Sequence, residues 1–282
     1  MNPSQDRLLL LQRQALNRYA AEACIDTHCH CLPGVDDGPE TMEDAVAICH
    51  ALVGQGITTV VATPHQLGRF DGCVEAPRIR RSVRQLNTEL QRRAVPLTVL
   101  PGAEIRVDER IADLLRQDVL MTLADGGQYV LVELPFDLFI DIGPLLDELD
   151  GLGLRAVIAH PERNRELMMR PHRVMAWAEY RPLLQVTAPS LLGRFGREVQ
   201  DAACAFLDMP LEALAATDTH DTLDRGPCLL EAFERIAQYM GPVIARRFFI
   251  DTPLSLIPNL SIVKAEPLNG ERIDSDGFTA ME

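Results

Sequence analysis

Short apolar runs rich in Val, Ile and Leu recur along this chain near residues 24–29, 57–63, 97–104, 128–134, 154–160, 183–187 and 213–218. Runs of this length, bounded by turn residues and without internal breaks, read as buried strands. Between them the period lengthens to that of a helix. Met42, Ala45, Val46, Cys49, Leu52 and Val53 fall on one helical face behind a Thr41 to Asp44 capping signal. Ile79, Val83, Leu86 and Leu90 repeat the pattern, with Arg80, Arg81, Arg84, Arg92 and Arg93 turned largely outward. Strands that alternate with helices pair in parallel, so the pattern predicts an α/β fold with seven strands closed into a TIM-like (β/α)7 barrel. The ends read differently. Residues 1–22 carry Leu8, Leu11 and Ala15 on one stripe and predict a helical extension, whereas residues 251–282 turn to Pro, Asn, Asp and Gly and predict a tail. One domain, residues 23–250, lies between.

Polar residues close these strands. His28 and His30 are two apart, so on an extended strand both side chains face one way and Cys29 the other. Asp218 and His220 repeat that spacing, while His65, Glu104, Glu133 and His160 each follow an apolar run. In parallel barrels the active site lies at the C-terminal ends of the strands, where all of these residues fall. Any single histidine at a strand end is as often a satisfied structural residue as a ligand. Five of the seven histidines placed there together argue for a site, whereas His50 and His172, in helical segments, read as surface or capping residues. Asp37 joins the set; Asp36 beside it reads as part of an ordinary turn with Gly38 and Pro39.

Composition narrows the function. A net charge of -14 argues against phosphate-backbone binding, so no nucleic acid partner is expected. Seven cysteines, an odd number without framework spacing, predict free thiols, a reducing compartment and a cytoplasmic protein. No apolar stretch reaches the roughly 20 residues of a membrane span, and Leu8 to Leu11 is too short for a signal-peptide core.

Imidazole and carboxylate ligands without thiolates suit manganese, iron, zinc or magnesium, and more than six of them imply two or three ions. Clustered divalent ions lower the pKa of a shared water and offset charge in a displacement at phosphorus, so phosphate ester hydrolysis is the expected task. Arg163, three residues after His160, and Arg225, five after His220, are placed to clamp phosphate oxygens. The arginines from 69 to 93 read either as a solvated helix face or as an entrance for an acidic peptide. No cysteine is followed by an arginine with five residues between them, which argues against a thiolate mechanism of phosphate ester hydrolysis.

Together Asp26-Thr27-His28-Cys29-His30, Val35-Asp36-Asp37-Gly38-Pro39, Thr63-Pro64-His65, Gly102-Ala103-Glu104-Ile105, His160-Pro161-Glu162-Arg163, Ser190-Leu191-Leu192-Gly193 and Thr217-Asp218-Thr219-His220 resemble the polymerase and histidinol phosphatase (PHP) family. They resemble most closely its bacterial manganese-dependent protein-tyrosine phosphatases of capsule and exopolysaccharide operons. The resemblance implies a distorted seven-stranded PHP barrel with three metals. His28, His30, Glu104 and Asp218 would hold the first, Glu104, Glu133 and His160 the second, and Asp37, His65 and His220 the third. It further implies that Arg163 and Arg225 bind the phosphate of a phosphotyrosine tail on a membrane-bound kinase, with homo-oligomerisation left open. Two alternatives stand beside this: a phosphoesterase for a small metabolite such as histidinol phosphate, and a metal-binding regulator that docks on a kinase without turnover.

Overall fold

The computed structural model describes residues 24–257; the helical extension expected over 1–22 and the tail beyond 257 lie outside the described residues. All strand pairings are parallel. Strands β1 (Cys24–Cys29), β2 (Ile57–Ala62) and β4 (Thr98–Pro101) form one sheet in the order β1-β2-β4. Strands β3 (His65–Gln66), β5 (Glu104–Arg106), β6 (Tyr129–Glu133), β7 (Arg155–Ala159), β8 (Leu183–Thr187) and β9 (Ala213–Ala216) form the second, in the order β3-β5-β6-β7-β8-β9.

Two ladders therefore stand in place of the seven unbroken strands expected from the pattern. The runs at 57–63 and 97–104 each break before their polar ends, into β2 with β3 and β4 with β5. Pro64 and Pro101 bring no N–H to a ladder. Gly102 passes so close to β2 that a β-carbon there would lie 2.6 Å from Val61 Cγ1. Beyond the break, β3 and β5 restart with His65 paired to Glu104.

The edges β1 and β9 meet at their C-terminal ends. Asp218 N donates to His28 O and His30 N donates to Thr219 O, both at 2.8 Å. Buried Asp26 adds a side-chain tie, accepting from Thr217 N at 3.0 Å and from the Thr217 hydroxyl at 2.5 Å.

Alternation along the strands separates two apolar cores. Val60, Ala62, Val130, Val132, Ile158, Leu184 and Val186 face outward into the larger core. Helices α1 (Met42–Gly54), α2 (Ala76–Arg92), α3 (Gly143–Gly151), α4 (Arg197–Leu207) and α5 (Leu229–Met240) also bury apolar residues there. Ile25, Val61, Leu131, Val157, Leu183 and Leu214 face inward into a smaller core to which both sheets contribute. Leu256 and Ile257 belong to that inner core, so buried packing continues past residue 250. Helix α1 starts as its sequence predicts: Asp44 N donates to Thr41 Oγ1 at 3.2 Å, and Asp44 returns a carboxylate to the cap. These packed layers hold the C-terminal ends of the strands, and the loops that follow them, around one cleft.

Candidate metal centre

The side chains expected to act converge at that rim. His28 and His30 leave the end of β1, buried and on the same side of the strand. His28 Nδ1 donates to Gln185 Oε1 at 2.7 Å, and Gln185 is held in that orientation because its own Nε2 donates to Val186 O. His30 Nδ1 donates to Asp36 Oδ2 at 2.6 Å. Both rings therefore turn an unprotonated Nε2 inward when neutral, and these two nitrogens lie 3.2 Å apart.

Glu104 Oε2 lies 3.3 Å from each Nε2, and Asp218 Oδ1 lies 3.4 Å from each. Four ligands about 2.1 Å from one cation would be separated by about 3.0–3.4 Å, depending on coordination geometry. The set fits. Glu104 Oε2 is buried without a hydrogen-bond donor despite three imidazoles nearby, the third being His65 with Nδ1 at 3.1 Å. A proton on one Nε2 satisfies a single contact; a divalent cation satisfies all four atoms.

A second group lies alongside. His30, Asp37, His65 and His220 each offer a ligand atom within 4.8 Å of the others. His220 Nδ1 donates to Asp218 O at 3.0 Å, which leaves a buried Nε2 with no hydrogen-bond partner. Glu104, Glu133 and His65 make the third group, again within 4.8 Å. His160 instead directs Nε2 to Glu104 Oε1 at 2.8 Å. The first of these groups has the composition that the resemblance implies for the first ion. The others gain His30 in one case and exchange His160 for His65 in the other.

Electrostatics bind the cluster into one unit. Burial alone would raise Glu104 and Asp218, but the adjoining His28 dominates, aided by His160 for the first and His30 for the second, and both carboxyls fall well below the usual range. Burial with Glu104 close by pushes Glu133 up. Burial lowers His65 to about 4, with the charge of His30 adding to the effect, so its ring is neutral near pH 7.

Loop geometry holds these groups in place. His160 (φ 30°) and Asp218 (φ 54°) adopt left-handed backbone, a conformation uncommon for residues with a β-carbon. Gly38 passes beside His30, where a β-carbon would lie 2.5 Å from the His30 carbonyl oxygen. Glu162, between the expected site residues His160 and Arg163, is buried and accepts from Thr187 N at 2.8 Å, fixing the end of β8.

A cleft of about 420 Å³ opens over the cluster. Its lining includes Asp37, His65, Glu104, Glu133, His160 and Asp218. Arg163 NH1 donates to Asp218 Oδ2 at 2.6 Å and Arg225 NH2 to the same oxygen at 2.9 Å, so both arginines stand at the centre. Arg69 pairs with Asp37 and also lines the cleft. Three other arginines of that zone take other partners: Arg80 pairs with Asp118 and Asp125, Arg92 with Glu89, and Arg93 with Glu89 and Glu43.

Two positioning residues go beyond the sequence reading. Asp36 is a buried carboxylate on His30 that also accepts from His65 N at 3.0 Å, in addition to its turn contact with Gly38 N. The doubled Asp36-Asp37 was the available signal, because one aspartate suffices for a turn. Gln185 places an amide in the middle of the buried run Leu183–Thr187. An amide in a fully buried strand signals a specific partner, here His28. Cys29 and Cys31 are buried beside the histidines but belong to none of these groups.

A parallel α/β fold with imidazoles and carboxylates converging at its strand ends defines a hydrolase of the metal-dependent kind. Residues 24–258 match the capsular polysaccharide synthesis CpsB/CapC family, and the chain belongs to it. Tyrosine-protein phosphatase YwqE of Bacillus subtilis (strain 168) is 33% identical over 256 residues, covering 90% of this chain and 99% of that protein. Tyrosine-protein phosphatase CpsB of Streptococcus pneumoniae is 29% identical over 241 residues, with 83% and 98% covered. A solved structure from work on YwqE of B. subtilis and CpsB of S. pneumoniae, described as unique metal-dependent tyrosine phosphatases, superposes with a TM-score of 0.79 at 32% identity. That match covers 88% of this chain and 100% of the other. No helix among the described residues is long and apolar enough to cross a membrane.

Proposed function

We propose that the chain hydrolyses phosphotyrosine with the help of two or three divalent ions, manganese first among them. The observation that carries this is the set of four ligand atoms from His28, His30, Glu104 and Asp218 at edges of 3.2–3.4 Å, with Arg163 and Arg225 on the outer oxygen of the same Asp218. Its family membership and its likeness to tyrosine-protein phosphatases support the choice of ester. In this reading Asp37, His65 and His220 serve a further ion, and Glu133 and His160 complete the set around Glu104. Bound there, divalent ions would supply Lewis acidity and lower the pKa of a water.

The chain's own residues do the rest. Arg163 and Arg225 turn from Asp218 towards a phosphate and grip its oxygens through charge-assisted hydrogen bonds. Gln185 and Asp36 fix the ring orientation of His28 and His30. The leaving phenolate, with a conjugate-acid pKa of about 10, departs with less proton assistance than an alkoxide needs. The substrate is read as the phosphotyrosine tail of a membrane-bound kinase in capsule or exopolysaccharide synthesis, met in the cytoplasm. The ties between β1 and β9, together with an inner core fed by both sheets, support reading the strands as a distorted seven-stranded barrel.

Phosphate release from a phosphotyrosine peptide and from histidinol phosphate distinguishes the readings. Manganese-dependent release from the peptide, lost in His160→Ala, is expected. Release mainly from the small ester would move the protein to metabolism. No release from either ester by metal-loaded protein would mark a docking regulator.

A further inference from the structure

Phe136 and Phe195 are large apolar side chains left 39% and 41% exposed at the edge of a strongly charged site. They bracket Arg163, whose guanidinium carbon lies 4.8 Å from the Phe136 ring centre and 5.1 Å from that of Phe195. Only Phe136 also lines the cleft, where its ring lies 5.9 Å from that of His160 with the planes 29° apart. The backbone around it is clipped in place. Asn164, buried, donates through Nδ2 to Pro135 O at 2.6 Å and to Leu138 O at 3.0 Å, and Arg165 N donates to Phe136 O at 2.8 Å. An aromatic side chain on a loop whose backbone is held by three hydrogen bonds, yet open to solvent, is prepared for a ligand surface rather than for the core.

We propose that Phe136 is a specificity-determining residue whose ring packs against the aryl group of the substrate while Arg163, steadied by both phenylalanines, holds the phosphate. This rests on the phosphatase reading of the site. The two ends of an aryl phosphate need different surroundings, an apolar face and a cation, and Phe136 and Arg163 present them side by side. An alkyl phosphate would use Arg163 and leave the Phe136 ring wet. Phe195 touches the same arginine without lining the cleft, so it acts as a positioning residue for aryl and alkyl esters alike.

Calorimetric binding of phenylphosphonate and methylphosphonate to the manganese-loaded full chain tests this. Phe136→Ala is expected to weaken phenylphosphonate roughly tenfold more than methylphosphonate, the scale of an aromatic contact with its buried area, because both ligands share any lost support of Arg163 and only the first loses the ring. Phe136→Tyr is expected to keep the preference. Phe195→Ala is expected to weaken both ligands together. In turnover, Phe136→Ala should raise KM for a phosphotyrosine peptide more than it lowers kcat. Equal weakening of both phosphonates by Phe136→Ala, or no weakening of either, would overturn the assignment. If the wild type releases no phosphate from the peptide at all, the phosphatase reading fails instead.

Discussion

His28, His30 and His220 each commit Nδ1 to an oxygen, from Gln185, Asp36 and the Asp218 backbone respectively, and turn Nε2 towards the centre. Such partners set the tautomer and raise the basicity of a ligand, and losing one costs typically 10–100-fold in metal affinity. Gln185→Leu and Asp36→Asn are therefore expected to fold and to lose bound metal, seen by elemental analysis after dialysis against dilute manganese. Full metal content in both variants would contradict the role given to these partners. Thiols behave differently. Burial pushes Cys24 up to about 12 and Cys228 up to about 11, so neither is ionised near neutrality. Cys29, Cys31 and Cys49 are buried, while Cys73 is exposed. Cys204 is half-buried, and burial with Asp201 and Asp208 close by pushes its thiol up. Titration of the native protein with a thiol reagent is expected to show one fast site, lost in Cys73→Ser; a fast reaction retained in a Cys73→Ser, Cys204→Ser variant would show that a buried thiol opens to solvent. At this scale the residues that close strands were legible because a polar group ending an apolar run is conspicuous. Asp36 was not, because the same aspartate also makes an ordinary turn contact with Gly38.

Elements were read from period and length, and seven apolar runs were legible because strands buried on both sides leave continuous Val, Ile and Leu. The break inside two of them was not. It depends on where neighbouring strands press together, and Gly102 shows this: its missing β-carbon clears Val61 Cγ1, a stiff β-branched neighbour buried in the inner core. Gly102→Ala is expected to destabilise the protein by about 1–3 kcal/mol through overpacking, seen as a lowered midpoint in thermal unfolding. An unchanged midpoint would mean that β2 and β4 have room to separate. The meeting of β1 with β9 was equally hidden. It relies on Asp26 reaching Thr217, a long-range pairing that local periodicity does not encode. Helix α1 was legible to its cap because Thr41 and Asp44 satisfy each other within one turn.

Across the whole molecule, an acidic chain of net charge -14 collects positive charge where an anion would enter. Arg69, Arg106, Arg163 and Arg225 all line the cleft, each paired there with Asp37, Glu133 or Asp218, and cations on those carboxylates would leave the arginines to meet an anion, whereas Arg80, Arg92 and Arg93 pair with carboxylates away from the cleft. Low-dielectric walls strengthen that local field, so overall acidity and recognition of a phosphate are compatible. The imidazole and carboxylate cluster is proposed to hold more than one ion that the reaction needs. The most direct test is to strip the protein with chelator, restore manganese stepwise, and follow bound metal per chain together with phosphate release from a phosphotyrosine peptide. Activity that is absent in the stripped protein and returns as two or three ions bind per chain is the expected result. Full activity after stripping, or full recovery with a single ion per chain, would show that the cluster does not work as a centre of several ions.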